Sequence, residues 1–214
     1  MAELPQEALT SWALAPIRPD ARRAAKHELT EQVRRLINAV TMLDINPLAE
    51  ASAVGALTTE VAALVERVEA LPRLPGGPAD AGGDDGRLLE RSGIAGASNP
   101  LAPPLHLALD GERVVGWAVY PHQYEGPPGC VHGGFVAAAF DDLLGAAQTL
   151  SGTAGFTGTL TVRMVRPTPL LERIDYEGGV RGLEGRKIFA WGRARARDVL
   201  VAEAEGVFIS PRRA

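Results

Sequence analysis

One cysteine and only two lysines stand in the 214 residues of this chain. Cys130 has no second thiol to pair with, so no intrachain disulfide can form, which fits a reducing compartment. With lysine only at Lys26 and Lys187, arginine supplies nearly all the positive charge, a codon bias we attribute to a GC-rich genome. No apolar run approaches the roughly 20 residues that span a bilayer. The opening MAELPQEALTSWALAPIRPD has neither the basic start nor the continuous apolar stretch of a signal peptide. A formal net charge of −4 offers no strong field to nucleic acid or to an anionic membrane surface. His27, His106 and His122 lack metal-ligand spacing. These absences lead us to expect a cytoplasmic protein with no metal, no nucleic acid and no membrane partner.

What is present is ordinary in bulk and informative in order. Hydrophobic residues make up 46% and charged residues 22% of the chain, values typical of globular proteins. In DARRAAKHELTEQVRRLINAVTMLDI, Leu29, Val33, Leu36, Ile37, Val40 and Leu43 recur at steps of three and four, which predicts an amphipathic helix with Asp20 as its N-cap. In NPLAEASAVGALTTEVAALVERVEALP, Asn46 is the expected cap, Pro47 the first helical residue and Pro72 the stop. The stripe there is Val54, Leu57, Val61, Leu64, Val65 and Val68. A short turn between the two predicts a helical hairpin within an N-terminal helical region, residues 1–72, read as a cap on the main domain, with a partner helix in another subunit as the alternative that the heptad-like spacing leaves open. Residues 73–104, dense in Pro, Gly and Asp, read as a linker.

From residue 105 to 214 the period changes. LHLALDGERVVGWAVYP alternates about Asp110–Gly111, a hairpin signal. A helical stretch at 133–149 follows, then TGTLTVRMVRP, IDYEGGVRGL, RKIFAWGRARARD and LVAEAEGVFIS as four strands. This order predicts an α+β fold in which an antiparallel sheet wraps around one central helix.

The densest chemistry is GCVHGGFVAAAFDDLLG, residues 130–146. Projected at 100° per residue, Val136, Phe140, Leu143 and Leu144 form one face and should pack on the sheet. Asp141 falls nearly opposite, among Gly134, Ala138 and Gly145, where the small residues let another group approach the backbone. Asp142 lies a further 100° round. Amides at the helix start have no intrahelical partner and suit a developing oxyanion. A carboxylate two turns on is roughly 10–12 Å away, too far for both to grip one carbonyl, which points to a site completed by a second subunit. The same residues also fit a plain turn followed by a solvated helix face. Cys130, beside His132, reads as a small packed thiol, since adjacent side chains seldom face each other.

VHGGFVAAAFDD, followed by TGTLTVRMVRPTPL, resembles the hot-dog-fold acyl-CoA thioesterases of the phenylacetate-pathway and THEM type, over about residues 100–210. The resemblance implies hydrolysis of an acyl-CoA thioester with Asp141 as general base or nucleophile. It further implies Gly134 as the amide donor to the thioester carbonyl, His132 as an orienting group and Thr157 as a strand residue positioning water or Asp141. Substrate-binding positions would be Val131, Gly133, Arg163, Val165, Arg166, Arg186 and Lys187, the cations serving the phosphates of CoA. No cofactor beyond the CoA of the substrate is implied, and the assembly would be a homodimer or homotetramer with sites at subunit interfaces. Strand alternation, however, puts Thr157 with Thr159, Thr161 and Arg163, opposite Leu160, Val162 and Met164. Arg193, Arg195 and Arg197 alternate and read as a solvated outer stripe. A non-catalytic acyl-CoA-binding protein on the same fold is the alternative.

Overall fold

In a computed structural model of the chain, residues 20–46, 51–72, 90–153 and 155–211 are described. The helices are α1 (Ala21–Thr41), α2 (Ser52–Glu69) and α3 (Gly133–Ala147). The strands are β1 (His106–Asp110), β2 (Arg113–Val119), β3 (Phe156–Met164), β4 (Arg173–Glu184), β5 (Lys187–Ala196) and β6 (Val199–Ile209). They form one antiparallel sheet in the order β1-β2-β4-β5-β6-β3. The sheet wraps α3, the hot-dog arrangement that the resemblance implies. Asp110 pairs with Arg113 across the tight turn, and Gly111 there takes a positive φ of 60°, as the hairpin signal anticipated.

The core is made where the helix period meets the strand period. Val136, Phe140, Leu143 and Leu144, the face expected to pack, are at most 1% exposed. Three glycines on neighbouring strands let α3 sit close. A Cβ at Gly192 would come 3.0 Å from Phe140, one at Gly178 3.2 Å from Leu143 and one at Gly206 3.1 Å from Leu144. All three distances are tighter than ordinary side-chain contact, so larger residues would push the helix off the sheet.

The N-terminal helices form, but only α1 caps the body. The Asp20 side chain accepts the Arg22 amide as its N-cap. Arg34 donates to the carbonyls of Gly96, Asn99 and Ala102 at 3.0, 2.9 and 3.2 Å. Glu90, buried, takes the imidazole of His27 at 2.7 Å and the hydroxyl of Ser98, with Arg23 at 3.6 Å. Residues 90–104, the later part of the expected linker, are thus a strap between α1 and the main domain. Residues 73–89 lie outside the described residues, as does Pro47. The apolar stripe of α2 stays in solvent: Leu57 is 57% and Leu71 58% exposed. The expectation that both helices cap the main domain fails for α2, because α1 docks through polar groups on the strap and leaves the apolar stripes uncovered.

Candidate active site

His132 ends an extended segment and begins α3. Its backbone N–H donates to Tyr124 O at 2.8 Å and its carbonyl accepts from Phe135 N at 2.9 Å. Gly126 has to be glycine for this approach, since a Cβ there would lie 2.7 Å from His132 Cα. The His132 ring then folds back, and its Nδ1 accepts the Gly134 N–H at 3.0 Å. An accepting Nδ1 carries no proton, so the neutral ring holds its hydrogen on Nε2. Of the two glycine amides at the helix start, Gly134 is therefore engaged by the N-cap. The Gly133 N–H has no acceptor among the described residues. Val131 sits in the core at 4% exposure, its amide on Thr168 O, and serves to place His132.

Asp141 emerges two turns later, beside the edge strand. Thr157 Oγ1 donates to Asp141 Oδ1 at 2.9 Å. This contact contradicts simple alternation along β3, and the cause is a one-residue bulge. Thr157 pairs with Phe208 while Thr159 pairs with Val207, leaving Gly158 unmatched. Directly paired residues share a face, and Phe208 is buried in the core. Thr157 is thereby turned to the α3 side, with Leu160 and Val162, while Thr159, Thr161 and Arg163 stay outside.

Asp142 goes elsewhere. Its carboxylate accepts the Ser92 hydroxyl of the strap at 3.0 Å, and Ser92 Oγ in turn accepts the amides of Ile94 and Ala95. Burial pushes the Asp142 carboxyl up to about 6, with the Ser92 bond holding it back and the neighbouring Asp141 charge adding to the rise.

α3 and β3 run side by side in opposite senses. Gly133 lies at the Met164 end, where a Cβ would stand 3.6 Å from Met164 Cε, and Asp141 lies at the Thr157 end. Leu160 and Val162 pack against the core between them. The seam between α3 and β3 thus has amide donors at one end, a carboxylate at the other and apolar side chains between. Among the described residues, one edge of β3 has no strand partner.

The expected cations fall into two groups. Arg186 and Lys187 sit at the Thr157 end, since Lys187 pairs with Ile209 and Ile209 with Phe156. Arg163 and Arg166 sit at the other end, Arg163 on Glu203 at 2.8 Å and Arg166 on Leu200 O at 3.0 Å. Val165 donates its amide to Val201 O. About seven strand residues, or roughly 23 Å, separate the two groups. A shallow groove on the outer sheet face, lined by Thr161, Arg163, Trp191, Arg193, Glu203 and Glu205 among others, holds only Arg163 of the expected set. Arg193 stacks over Trp191 on that face. Arg197 leaves the stripe for a turn of positive φ and pairs with Glu172. Cys130 is half-buried, its thiol toward Pro128 O. Among the described residues, no group of three or more His, Cys, Asp or Glu is placed to hold a metal ion, and no helix is long and apolar enough to cross a membrane.

No protein-family model matches the chain. Over 87 residues it is 37% identical to the acyl-coenzyme A thioesterase THEM4 of Xenopus laevis, a match covering 40% of this chain and 39% of that protein. The chain thus matches about two-fifths of the length of that relative. A thioesterase superfamily protein known from its crystal structure superposes with a TM-score of 0.72 at 30% identity, over 92% of this chain and 98% of the other. Zebra fish thioesterase superfamily member 2 shares the fold at a TM-score of 0.50 and 18% identity, over 58% of this chain and 92% of the other.

Proposed function

The chain belongs to the thioesterase superfamily, and from that premise we propose that it hydrolyses an acyl-CoA thioester to the free acid and CoA. The observation that carries this reading is the contact between Thr157 and Asp141 at the open edge of the sheet. A hydroxyl that donates to one carboxylate oxygen fixes the side chain and leaves the other oxygen for a water or a thioester carbon. Small neighbours, Gly134 and Ala138, leave room for the substrate on that face of α3.

The oxyanion of the tetrahedral intermediate needs amide donors. Gly133 offers its N–H directly. Gly134, the donor the resemblance implies, becomes available when the His132 ring turns off it, which makes His132 an orienting group and not the base. These amides lie too far from Asp141 to serve the same thioester within one chain. The unpaired edge of β3 resolves this. Antiparallel pairing of β3 with β3 of a second copy, about a two-fold axis, brings the Thr157 end of one α3–β3 seam beside the Gly133 end of the other. Each site then takes its carboxylate from one copy and its amides from the other. Arg186 and Lys187, at the Asp141 end, are the cations in reach of the CoA phosphates there.

The test is free-thiol release from a panel of short, long and aryl acyl-CoAs. The wild type should release CoA from at least one of them, and Asp141→Asn should lower turnover by about a thousand-fold or more with folding intact. Binding of acyl-CoA without any release would instead assign the chain to carriage or sensing.

A further inference from the structure

The Gly133 amide has an apolar neighbour that the chemistry of hydrolysis leaves unused. A Cβ on Gly133 would meet the Cε methyl of Met164, the last residue of β3, at 3.6 Å. Met164 pairs with Ala202 and Val162 with Ala204, and both alanines are buried. Directly paired residues share a face, so Met164 continues the α3-facing row of Leu160 and Val162. Those two pack, partly buried, against the core, whereas Met164 is 45% exposed. A flexible thioether at the end of an apolar row, beside an unengaged amide donor, has surface to give to a ligand.

The backbone beneath Met164 is pinned. The amides of Val165 and Arg166 both donate to Val201 O, at 2.8 and 2.9 Å, and Thr168 O accepts the Val131 amide at 2.8 Å. These bonds tie the end of β3 to the segment that leads into α3, so Met164 and Gly133 keep their spacing. A carbonyl oxygen that accepts from the Gly133 N–H stands about 2.9 Å from the nitrogen. The carbon bonded to that carbonyl then comes within van der Waals reach of the Met164 methyl. The CoA arm leaves the other way, because Arg186 and Lys187 stand at the Asp141 end and come with that carboxylate from the second copy. The acyl group is left to face Met164.

We propose, resting on the thioesterase reading of this site, that Met164 determines acyl specificity by limiting the width of the substrate at the carbon next to the thioester carbonyl. The substrates it selects are acyl-CoAs unbranched at that carbon. A straight chain passes the methyl, and a branch meets it. A misfit of one methyl group in an apolar pocket discriminates by about 10- to 200-fold.

Hexanoyl-CoA and its isomer 2-methylpentanoyl-CoA carry the same atoms and differ only in that branch. We expect the wild type to favour hexanoyl-CoA in kcat/KM by about ten-fold or more and Met164→Ala to bring the ratio close to one. Met164→Leu, of similar volume, should keep it. A methionine that merely packs a subunit contact would change both substrates alike. Equal turnover of the two isomers by the wild type, or a ratio that Met164→Ala leaves unchanged, overturns the proposal. Binding separates that failure from a failure of the thioesterase reading. In the full chain carrying Asp141→Asn, which retains Gly133 and Met164, calorimetric titration gives a Kd for each isomer without turnover. A preference for hexanoyl-CoA that collapses when Met164→Ala is added supports the proposal even for a chain that releases no thiol. Equal Kd ratios with and without Met164, or no binding of either isomer to Asp141→Asn, overturn it.

Discussion

Asp141 and Asp142 follow one another on α3, and the 100° of helix between them sends the first to Thr157 on the edge strand and the second beneath Ser92. The chemistry of each follows from that turn. For Thr157→Val, which keeps the shape and removes the donor, we expect kcat to fall about ten- to a hundred-fold with KM little changed, since a hydrogen bond to a charged group contributes about 1.5–3 kcal/mol. Steady-state thiol release reads this directly, and a loss confined to KM would make Thr157 a binding group instead. Asp142 is tied to stability. Its proton is held more tightly in the folded chain, up to about 6, than in the unfolded chain, where aspartate titrates near 4. The stabilising contribution of that proton is therefore full below about pH 4 and is lost as pH rises through about 6. Asp142→Asn keeps an acceptor for Ser92 and abolishes the titration. It should melt higher than the parent at pH 8, by on the order of 2 kcal/mol, and with it near pH 4. A gain independent of pH in thermal melts would show that the buried carboxylate is not what costs stability.

Among the elements, β3 decides whether the site exists. Its bulge at Gly158 sets the face of Thr157. Deleting Gly158 removes the extra residue and makes Thr157 the direct neighbour of Thr159, still opposite Phe208 and on the α3 side. Activity should then stay within a few-fold of the parent, while the sheet, read by far-ultraviolet circular dichroism, persists. A loss as large as in Thr157→Val would mean that the strand slips by one residue when the bulge is removed. The helices, the strands and the packing face of α3 were legible because each repeats its period over several residues: Phe140, Leu143 and Leu144 could be placed by angle alone. Thr157 could not. A single unmatched residue inverts the face of what precedes it, and an isolated Gly158 inside TGTLTVRM hints at a bulge without saying which side it turns. The engagement of the Gly134 amide was open to the same reading of helix starts, since His132 precedes the helix and carries an acceptor nitrogen, but N-caps are ordinarily sought among Ser, Thr, Asp and Asn.

In the whole molecule, long-range polar contacts do what periodicity cannot announce. Arg34 bonds three carbonyls that lie 62, 65 and 68 residues on, and Ser92 reaches Asp142 across 50. No local pattern encodes such pairs, and a stretch rich in Pro, Gly and Asp reads as a linker even where its later part straps α1 to α3. Arg34→Ala would strip those carbonyls of their donor. We expect it to loosen α1, with a loss of about 2–4 kcal/mol seen as faster hydrogen exchange over residues 21–41, and thiol release within a few-fold of the parent. Equal loss of exchange protection in the sheet would mean that α1 is integral to the main domain.

The division of labour between the two aspartates is tested most directly by single-turnover thiol release, with the best acyl-CoA of the panel, from Asp141→Asn beside Asp142→Asn. We expect the first to lose about a thousand-fold or more and the second to remain within a few-fold of wild type at pH 7. Comparable losses in both, or a larger loss at Asp142, would contradict the assignment of Asp141 as the group that attacks or activates water.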